Sequence, residues 1–421
     1  MAQSLSAEEL PAEESIAEEW QTEEAEPPGY RKYSDRLMLI THLSAFYTLS
    51  DLQGSDTLSG GSISGVIAPI YRVNHKDFLI LMYDGEYYKR REFYSDEIGP
   101  RQRSEFQRHT ITPMLRIDFG KGSRYSITPS FFYTETYNKD IEPGGWSEGL
   151  YNYRDIGGGL DFDMRELGFN GGDGTLKVGI QIYRRDYPNY ISLLDLATGI
   201  GVEKDEKDYD GIIARARYHW TQRFGLSWDA EYFLLYKMLD DKKVVNSNGL
   251  LTSTEQHDYL HNLDLRCWYI VDNVDGRLRV GLDLNGSLKD SSQNYYDAMG
   301  TLDLLDDVFL TDFYDYRSYR IRPNISYTMA LFPLTSSFSY AYQKTDYTDR
   351  RARFRGGFYK NDKQWETLEE VEIGLSYDLT KNWALLAVWQ HIVGRSNNDD
   401  ERVYRYDYRI NNYSVGVSYS F

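Results

Sequence analysis

The chain holds a single cysteine, Cys267, among 421 residues, so no intrachain disulfide can form. Cys267 reads as a small apolar residue on one strand face. Long hydrophobic runs are also missing. The longest, such as Phe78–Tyr83, falls far short of the roughly 20 residues a spanning helix needs, so helical membrane insertion is excluded. Basic patches are scarce. Net charge is −18, and residues 1–28 carry nine Glu with no Lys or Arg. An acidic chain of this kind is not expected to bind nucleic acid.

Catalytic and metal signatures are equally thin. There is no G-x-S-x-G, and no Cys/His cluster has zinc spacing. His42, His109, His219, His261 and His391 fall in or near strands without a Ser-His-acid spacing, and His219 reads as a polar interior residue. The acidic stretch Glu203–Asp210 lacks EF-hand spacing. No catalytic residue, metal or cofactor is expected. The opening MAQSLSAEELPAEE has neither a basic n-region nor an apolar h-region. It fits either a cytosolic protein or a mature exported chain carrying a start Met, and the remaining pattern favours the second.

What the chain does have is alternation. Tyr is over-used at 38 residues, Phe adds 18, and mean hydropathy is only −0.60. Residues 1–35 are acidic, Pro-flanked and without a strong period, which predicts a disordered periplasmic tail or a loose helix. From Arg36 the period becomes two. In Tyr319–Leu331 the odd positions are Tyr319, Ile321, Pro323, Ile325, Tyr327, Met329 and Leu331, and the even ones are polar or small, led by Arg320 and Arg322. Side chains alternate across a strand, so one face is apolar and the other polar. His109–Phe119, Tyr125–Tyr133, Leu263–Val271, Leu278–Leu288 and Tyr413–Phe421 repeat the pattern.

About 16 such segments are counted, starting near Arg36, Gly60, Phe78, Ser104, Arg124, Tyr151, Thr175, Asp208, Leu226, Asp258, Leu278, Phe313, Leu334, Glu366, Trp383 and Arg402. Short Gly, Asn and Asp turns alternate with longer polar loops, the longest at about 188–207 and 347–365. Many segments alternate over the 9–11 residues that a tilted bilayer crossing takes. Aromatic residues end the apolar faces, as in Tyr125 and Tyr133 or Trp228 and Tyr236, where amphipathic rings would sit at headgroup depth. The reading is an all-β, up-and-down antiparallel transmembrane β-barrel over 36–421, with both termini in the periplasm. Pro69, Pro113, Pro129 and Pro323 on the apolar face predict local bulges.

The last strand carries Ser414, Gly416, Tyr419 and Phe421. This resembles the signal read by the barrel assembly machinery of Gram-negative bacteria, and the whole pattern resembles outer-membrane barrels of the porin kind. Stretches such as ITPSFFY resemble exopolysaccharide-export barrels more weakly. The resemblance implies a bilayer with lipopolysaccharide and the assembly machinery as partners.

The polar faces would then line a water-filled lumen. The candidate lining residues are Arg108, Arg116, Asp161, Asp163, Arg215, Arg217, Asp229, Glu231, Asp264, Arg266, Arg320, Arg322, Glu370 and Glu372. Basic and acidic groups are nearly balanced, so a one-sign selectivity ring is not indicated. In the hairpin around Phe224, Tyr218 is expected opposite Trp228, Arg217 opposite Asp229 and Arg215 opposite Glu231, giving two interior salt bridges. The leading function is a pore for polar solutes. The alternatives are a partner-dependent secretion barrel, whose acidic tail docks a periplasmic component or plugs the lumen, and an outer-membrane enzyme. Arg350, Arg351, Arg353 and Arg355 form a basic loop cluster with a possible attraction for anionic glycans.

Overall fold

The computed structural model describes residues 30–32, 36–52, 58–91, 103–139, 146–168, 171–190, 205–222, 224–297, 307–400 and 406–421. The expected disorder of the tail falls on 1–29 and 33–35, outside the described residues.

Sixteen antiparallel strands close into one barrel. In chain order they are β2 (Leu37–Leu52), β3 (Leu58–Arg72), β4 (Phe78–Arg91), β5 (Arg103–Phe119), β6 (Tyr125–Lys139), β7 (Tyr153–Met164), β8 (Asp173–Asp186), β9 (Tyr209–Thr221), β10 (Leu226–Val245), β11 (Leu251–Asn273), β12 (Gly276–Ser291), β15 (Tyr316–Met329), β16 (Leu334–Arg353), β17 (Tyr359–Asp378), β18 (Trp383–Ser396) and β19 (Tyr408–Ser420). Each pairs with its sequence neighbours. The ring closes where β19 meets β2, from Ile410 opposite Leu52 to Ser420 opposite His42. Closure matters because an unpaired strand edge cannot be hydrated in lipid. A short strand β1 (Tyr30–Lys32) pairs with β2 at Met38–Ile40, on the edge of β2 left free beyond Phe421. A small hairpin of β13 (Tyr295–Asp297) and β14 (Val308–Leu310) lies in the connection between β12 and β15.

Most connections at one end are tight turns and most at the other are longer, but β10–β11 and β16–β17 turn within five residues at the loop end, at 246–250 and 354–358. The turn from β9 to β10 shows why register needs coordinates. Gly225 adopts φ +91°, its N–H bonds to Gln222 O at 3.1 Å, and Gln222 N bonds to Leu226 O at 2.7 Å. This is a three-residue turn centred on Phe224. It sets Trp228 opposite Trp220, Glu231 opposite Arg217 and Phe233 opposite Arg215. The expected pairs are therefore displaced by two residues. A shift of two keeps every side chain on its face, so the charges stay inside.

The prolines do not make bulges. The pairing of β5 with β6 is interrupted around Pro113 and Pro129 yet keeps one register from Ile111 opposite Tyr133 to Ile117 opposite Ile127. The same holds at Pro323, between Ile321 opposite Tyr342 and Asn324 opposite Ser339. Pro removes a ladder donor locally, and the bonds on both sides hold the alignment. The register shifts occur instead near the loop end, between Met238 and Val245 and between Asp346 and Arg353.

There the chain forms polar ribbons rather than loops. The expected loop 347–365 is mostly strand, turning at Phe354–Phe358 with Gly357 at φ +92°. These extensions carry no apolar alternation, which explains why β11 and β17 begin earlier than the pattern suggests.

Candidate functional site

Exposure separates the two faces of the wall. On β12, Val280, Leu282, Leu284 and Leu288 are exposed, while Asp283, Asn285, Ser287 and Lys289 point inward and are partly covered. The same division runs round the ring: Ile63, Ile67, Leu79, Leu81, Ile111, Leu115, Leu160, Val178 and Ile180 lie outside. Aromatic side chains border this apolar belt. Near the turns, Phe119, Tyr125 and Phe162 stack at 5.7–6.5 Å and Trp383 meets Tyr419 at 4.7 Å. Towards the loops, Tyr236 stacks on Tyr259 at 4.6 Å, and the hydroxyls of Tyr133 and Tyr137 both donate to Glu135. The span from Trp228 to Tyr236 is about 27 Å of strand at ~3.4 Å per residue. A tilt of roughly 40° brings this close to the height of a lipid-facing band. An apolar outside around a charged inside inverts a soluble domain.

The fold is a closed sixteen-strand antiparallel β-barrel of the membrane-spanning kind.

The interior is a set of cross-strand ion pairs, and all the candidate lining residues face it. Arg108 on β5 reaches Asp84 at 3.6 Å and Glu86 at 3.1 Å on β4. Arg116 bonds Asp118 at 2.9 Å. Ser126 donates to Asp163 at 2.9 Å. Arg217 bonds Asp229 at 2.6 Å, a diagonal contact that survives the change in register, and it faces Glu231 directly. Arg215 reaches across β8 to Asp161 at 3.2 Å, and Lys177 also approaches Asp161, at 3.6 Å.

Two further pairs skip a strand in the same way. Arg320 and Arg322 on β15 bond Glu370 at 2.8 Å and Glu372 at 3.0 Å on β17. They pass over Ser339 and Ala341 of β16, which are small enough to let them through. Asp264 accepts from Asn262 at 2.7 Å and Asn285 at 2.6 Å. Arg266 stands directly opposite Asp229 on one side and Asp283 on the other. Paired charges of both signs leave no one-sign ring among the described residues.

Glycines make some of these long contacts possible. Gly179 of β8 sits between Asp161 and Arg215 in register, and a Cβ there would lie 2.1 Å from Asp161 Oδ1. A Cβ on Gly281 would meet Asn324 Oδ1 at 2.4 Å.

Sequence reasoning read the interior as polar throughout, and here the structure differs. Tyr183, Tyr209, Ile213, Phe233, Leu235 and Leu239 form a buried apolar cluster inside the wall of β8–β10. Val66, Ala68 and Met82 form another on β3 and β4. The available signal was loss of alternation: Tyr232–Tyr236 and Val66–Ile70 are apolar on both faces.

A second missed arrangement is a polar relay. His219 Nε2 lies 3.0 Å from the Thr221 hydroxyl, and Nδ1 lies 3.4 Å from Asp229. Acyl transfer also needs free oxyanion donors. Here β9 is paired on both edges, with β8 and with β10, so its backbone N–H groups are committed to the ladders. His219 also stacks on Trp268 at 5.8 Å, and Arg279 covers the same ring at 4.8 Å. Four other histidines have structural partners: Tyr83 for His109, Tyr232 for His261, Asn411 for His391 and Ser420 for His42.

The basic loop cluster is not a free patch. Arg353 bonds Asp297 at 2.7 Å and the hydroxyls of Tyr295 and Tyr359. Arg350 lies 4.9 Å over Phe313 and 4.8 Å over Tyr347. These contacts tie the β12–β15 connection to the β16–β17 hairpin. Gln293 and Asn294 tie it to β10 through Lys243 O and Val245 O. Within it, burial pushes the Tyr314 phenol up to about 12. Burial also raises Asp315 to about 6, against the hydrogen bond it accepts from Ser291 N. The acidic stretch near Asp205 lies partly outside the described residues.

At the seam, the four candidate residues of the last strand divide by face. Ser414 and Gly416 point inward, with Ser414 bonded to Thr48 at 2.8 Å, and Tyr419 stacks on Phe421 at 6.0 Å. A Cβ on Gly416 would meet Ala45 O and the Phe46 ring, both at 2.5 Å.

No protein-family profile and no curated protein matches the sequence. Among solved structures, OmpT, an outer membrane protein of Vibrio cholerae, aligns over 92% of this chain and 100% of its own at 12% identity and TM-score 0.43. CdiB from Acinetobacter baumannii aligns over 90% of this chain and 60% of its own, at 13% identity and TM-score 0.48. The outer membrane protein opdK from Pseudomonas aeruginosa aligns over 91% and 99%, at 11% identity and TM-score 0.36. Likeness at this level carries no argument about what this chain does.

Proposed function

We propose that the chain is a pore for polar solutes, with a wet, near-neutral lumen, and that it is not an enzyme. The observation that carries this is the interior lining: charged groups held in cross-strand pairs on most strands of a sixteen-strand ring. A dry core could not hold so many ionised groups without large desolvation costs, and a ring of this size has room for water. Because both signs recur along the charged part of the wall, the pore would discriminate weakly between ions. The residues from Arg108 to Glu372 named above are its lining. Its termini face the periplasm, and Ser414, Gly416, Tyr419 and Phe421 present the last strand to the assembly machinery. Lipopolysaccharide surrounds the loop end.

The test is swelling of liposomes that contain the refolded protein in isotonic sugars of increasing size. Uptake with a sharp size cut-off is expected. Liposomes that swell no faster than protein-free ones would remove the proposal.

A second reading gains from β1. Tyr30–Lys32 pair with the rim of β2, so the acidic segment before Tyr30 is tethered at the turn end. There it could dock a periplasmic partner or enter the lumen. Deleting residues 1–29 should raise swelling if the segment plugs the pore, or abolish complex formation if it docks a partner. No change in either would end this reading.

A further inference from the structure

The interior is lopsided. Every second residue of β10 from Ser227 to Leu235 points inward and is only 3–9% exposed, and on neighbouring β9 Tyr209 and Ile213 are 4% and 8% exposed. Inward residues are repeatedly buried on β5, β6 and β8 as well, including Thr112, Thr136 and Gln181. Eight places round the ring from β9 and β10 lie β19 and β2. There the inward residues Ser44, Thr48, Asn412 and Ser414 are all partly accessible, as is Ser64 on β3.

Charge follows the same division. Among the described residues, no Asp, Glu, Lys or Arg points inward from β18, β19, β2 or β3, apart from Arg72 at the turn-end rim. Uncharged side chains line this arc, with Phe46, Leu386, Val388 and Ile392 among Ser, Thr, Asn and Gln, and hydroxyls bond one another across it, Ser44 to Ser64 at 2.7 Å and Thr48 to Ser414 at 2.8 Å. The turn end of β3 is packed, at Val66, Ala68 and Ile70.

We propose that the solute path is eccentric, running along β18, β19, β2 and β3, and that it suits an uncharged, hydroxyl-rich solute such as a sugar or polyol. This rests on the pore reading. Long Arg side chains and aromatic rings fill the β5–β10 side, so free volume is pushed to the opposite wall, where Ser44, Ser64, Thr48, Asn412 and Ser414 stay partly accessible. Ser, Thr, Asn and Gln both donate and accept hydrogen bonds, as sugar hydroxyls do. An ion passing along this arc meets no counter-charge on the near wall.

The test uses single cysteines in a Cys267→Ser background. Ser64→Cys and Ser414→Cys report on the arc, and Gln181→Cys and Ile213→Cys on the packed side. A water-soluble thiosulfonate is added to the folded protein, and labelling is followed by mass spectrometry. The arc thiols should react at least about tenfold faster, since access governs thiol reactivity. Equal rates, or the reverse order, would overturn the eccentric path. The labelling order is independent of conduction, so a silent bilayer with that order intact would refute the pore and leave the lopsided free space standing. In liposomes glucose should outpace gluconate and glucosamine by about threefold, because neither ion finds a partner on this wall. A faster rate for either ion would overturn the solute class.

Discussion

Replacing Gly179 by Ala tests whether the interior ion pairs depend on gaps left in the wall. The new Cβ would sit 2.1 Å from Asp161 Oδ1 and 3.1 Å from Arg215 Nε. The carboxylate must move by more than an ångström to reach ordinary contact, which breaks its 3.2 Å bond to Arg215. Both partners keep some contact with water, their side chains being 13% and 18% exposed. The full 3–5 kcal/mol of a broken buried pair therefore does not apply. One lost charged hydrogen bond, partly recovered by solvent, gives about 1–2 kcal/mol, or roughly a five- to thirtyfold change in the folding equilibrium. Gly286→Ala is the control: it faces lipid on β12 with nothing within 4 Å of the added atom. It should be neutral or stabilising by up to about 1 kcal/mol. Urea unfolding in lipid vesicles, followed by tryptophan fluorescence, measures both. In an Asp161→Ala background the cost of Gly179→Ala should largely vanish. If Gly179→Ala is as stable as Gly286→Ala, or its cost persists without Asp161, the notch argument is wrong.

Face assignment gives a second test. Leu282 lies outward, midway between the girdle levels marked by Tyr327 opposite Leu278 and Tyr319 opposite Gly286. Leu282→Arg should cost about 2–4 kcal/mol in vesicles, while Asn285→Arg, inside and beside Asp264, should cost well under 1 kcal/mol. Similar costs would contradict the inside-out assignment. Asp315, raised to about 6 by burial, supplies a pH test. A carboxyl with a raised folded pKa supports the fold below its ordinary value of 3.8 and loses that contribution as pH rises through about 6. Asp315→Asn should therefore gain stability relative to the native chain between pH 4 and 7. A pH-independent difference in urea unfolding would rule this out.

The period of two made the architecture legible, because it gives both the strand count and the facing of each residue. Register at the Phe224 turn was not legible, since odd-length turns centred one residue apart keep the same facing and draw on the same polar residues. Polar ribbons such as Leu251–His257 and Tyr359–Trp365 were hidden for a related reason: above the membrane neither face needs to be apolar. Which charges face inward was readable from alternation alone. Their pairing across an intervening strand, as in Arg322 with Glu372 over Ser339, depends on small residues whose positions only acquire meaning in register. The packed β8–β10 interior was signalled by Phe233 and Leu235 but read as ordinary strand hydrophobicity.

The most direct test of the pore is single-channel recording of the refolded protein in a planar bilayer. A sixteen-strand lumen with one accessible arc should give stable openings on the order of a nanosiemens in molar salt, with weak ion selectivity. A folded barrel that stays silent across voltage, with residues 1–29 both present and deleted, would contradict the account.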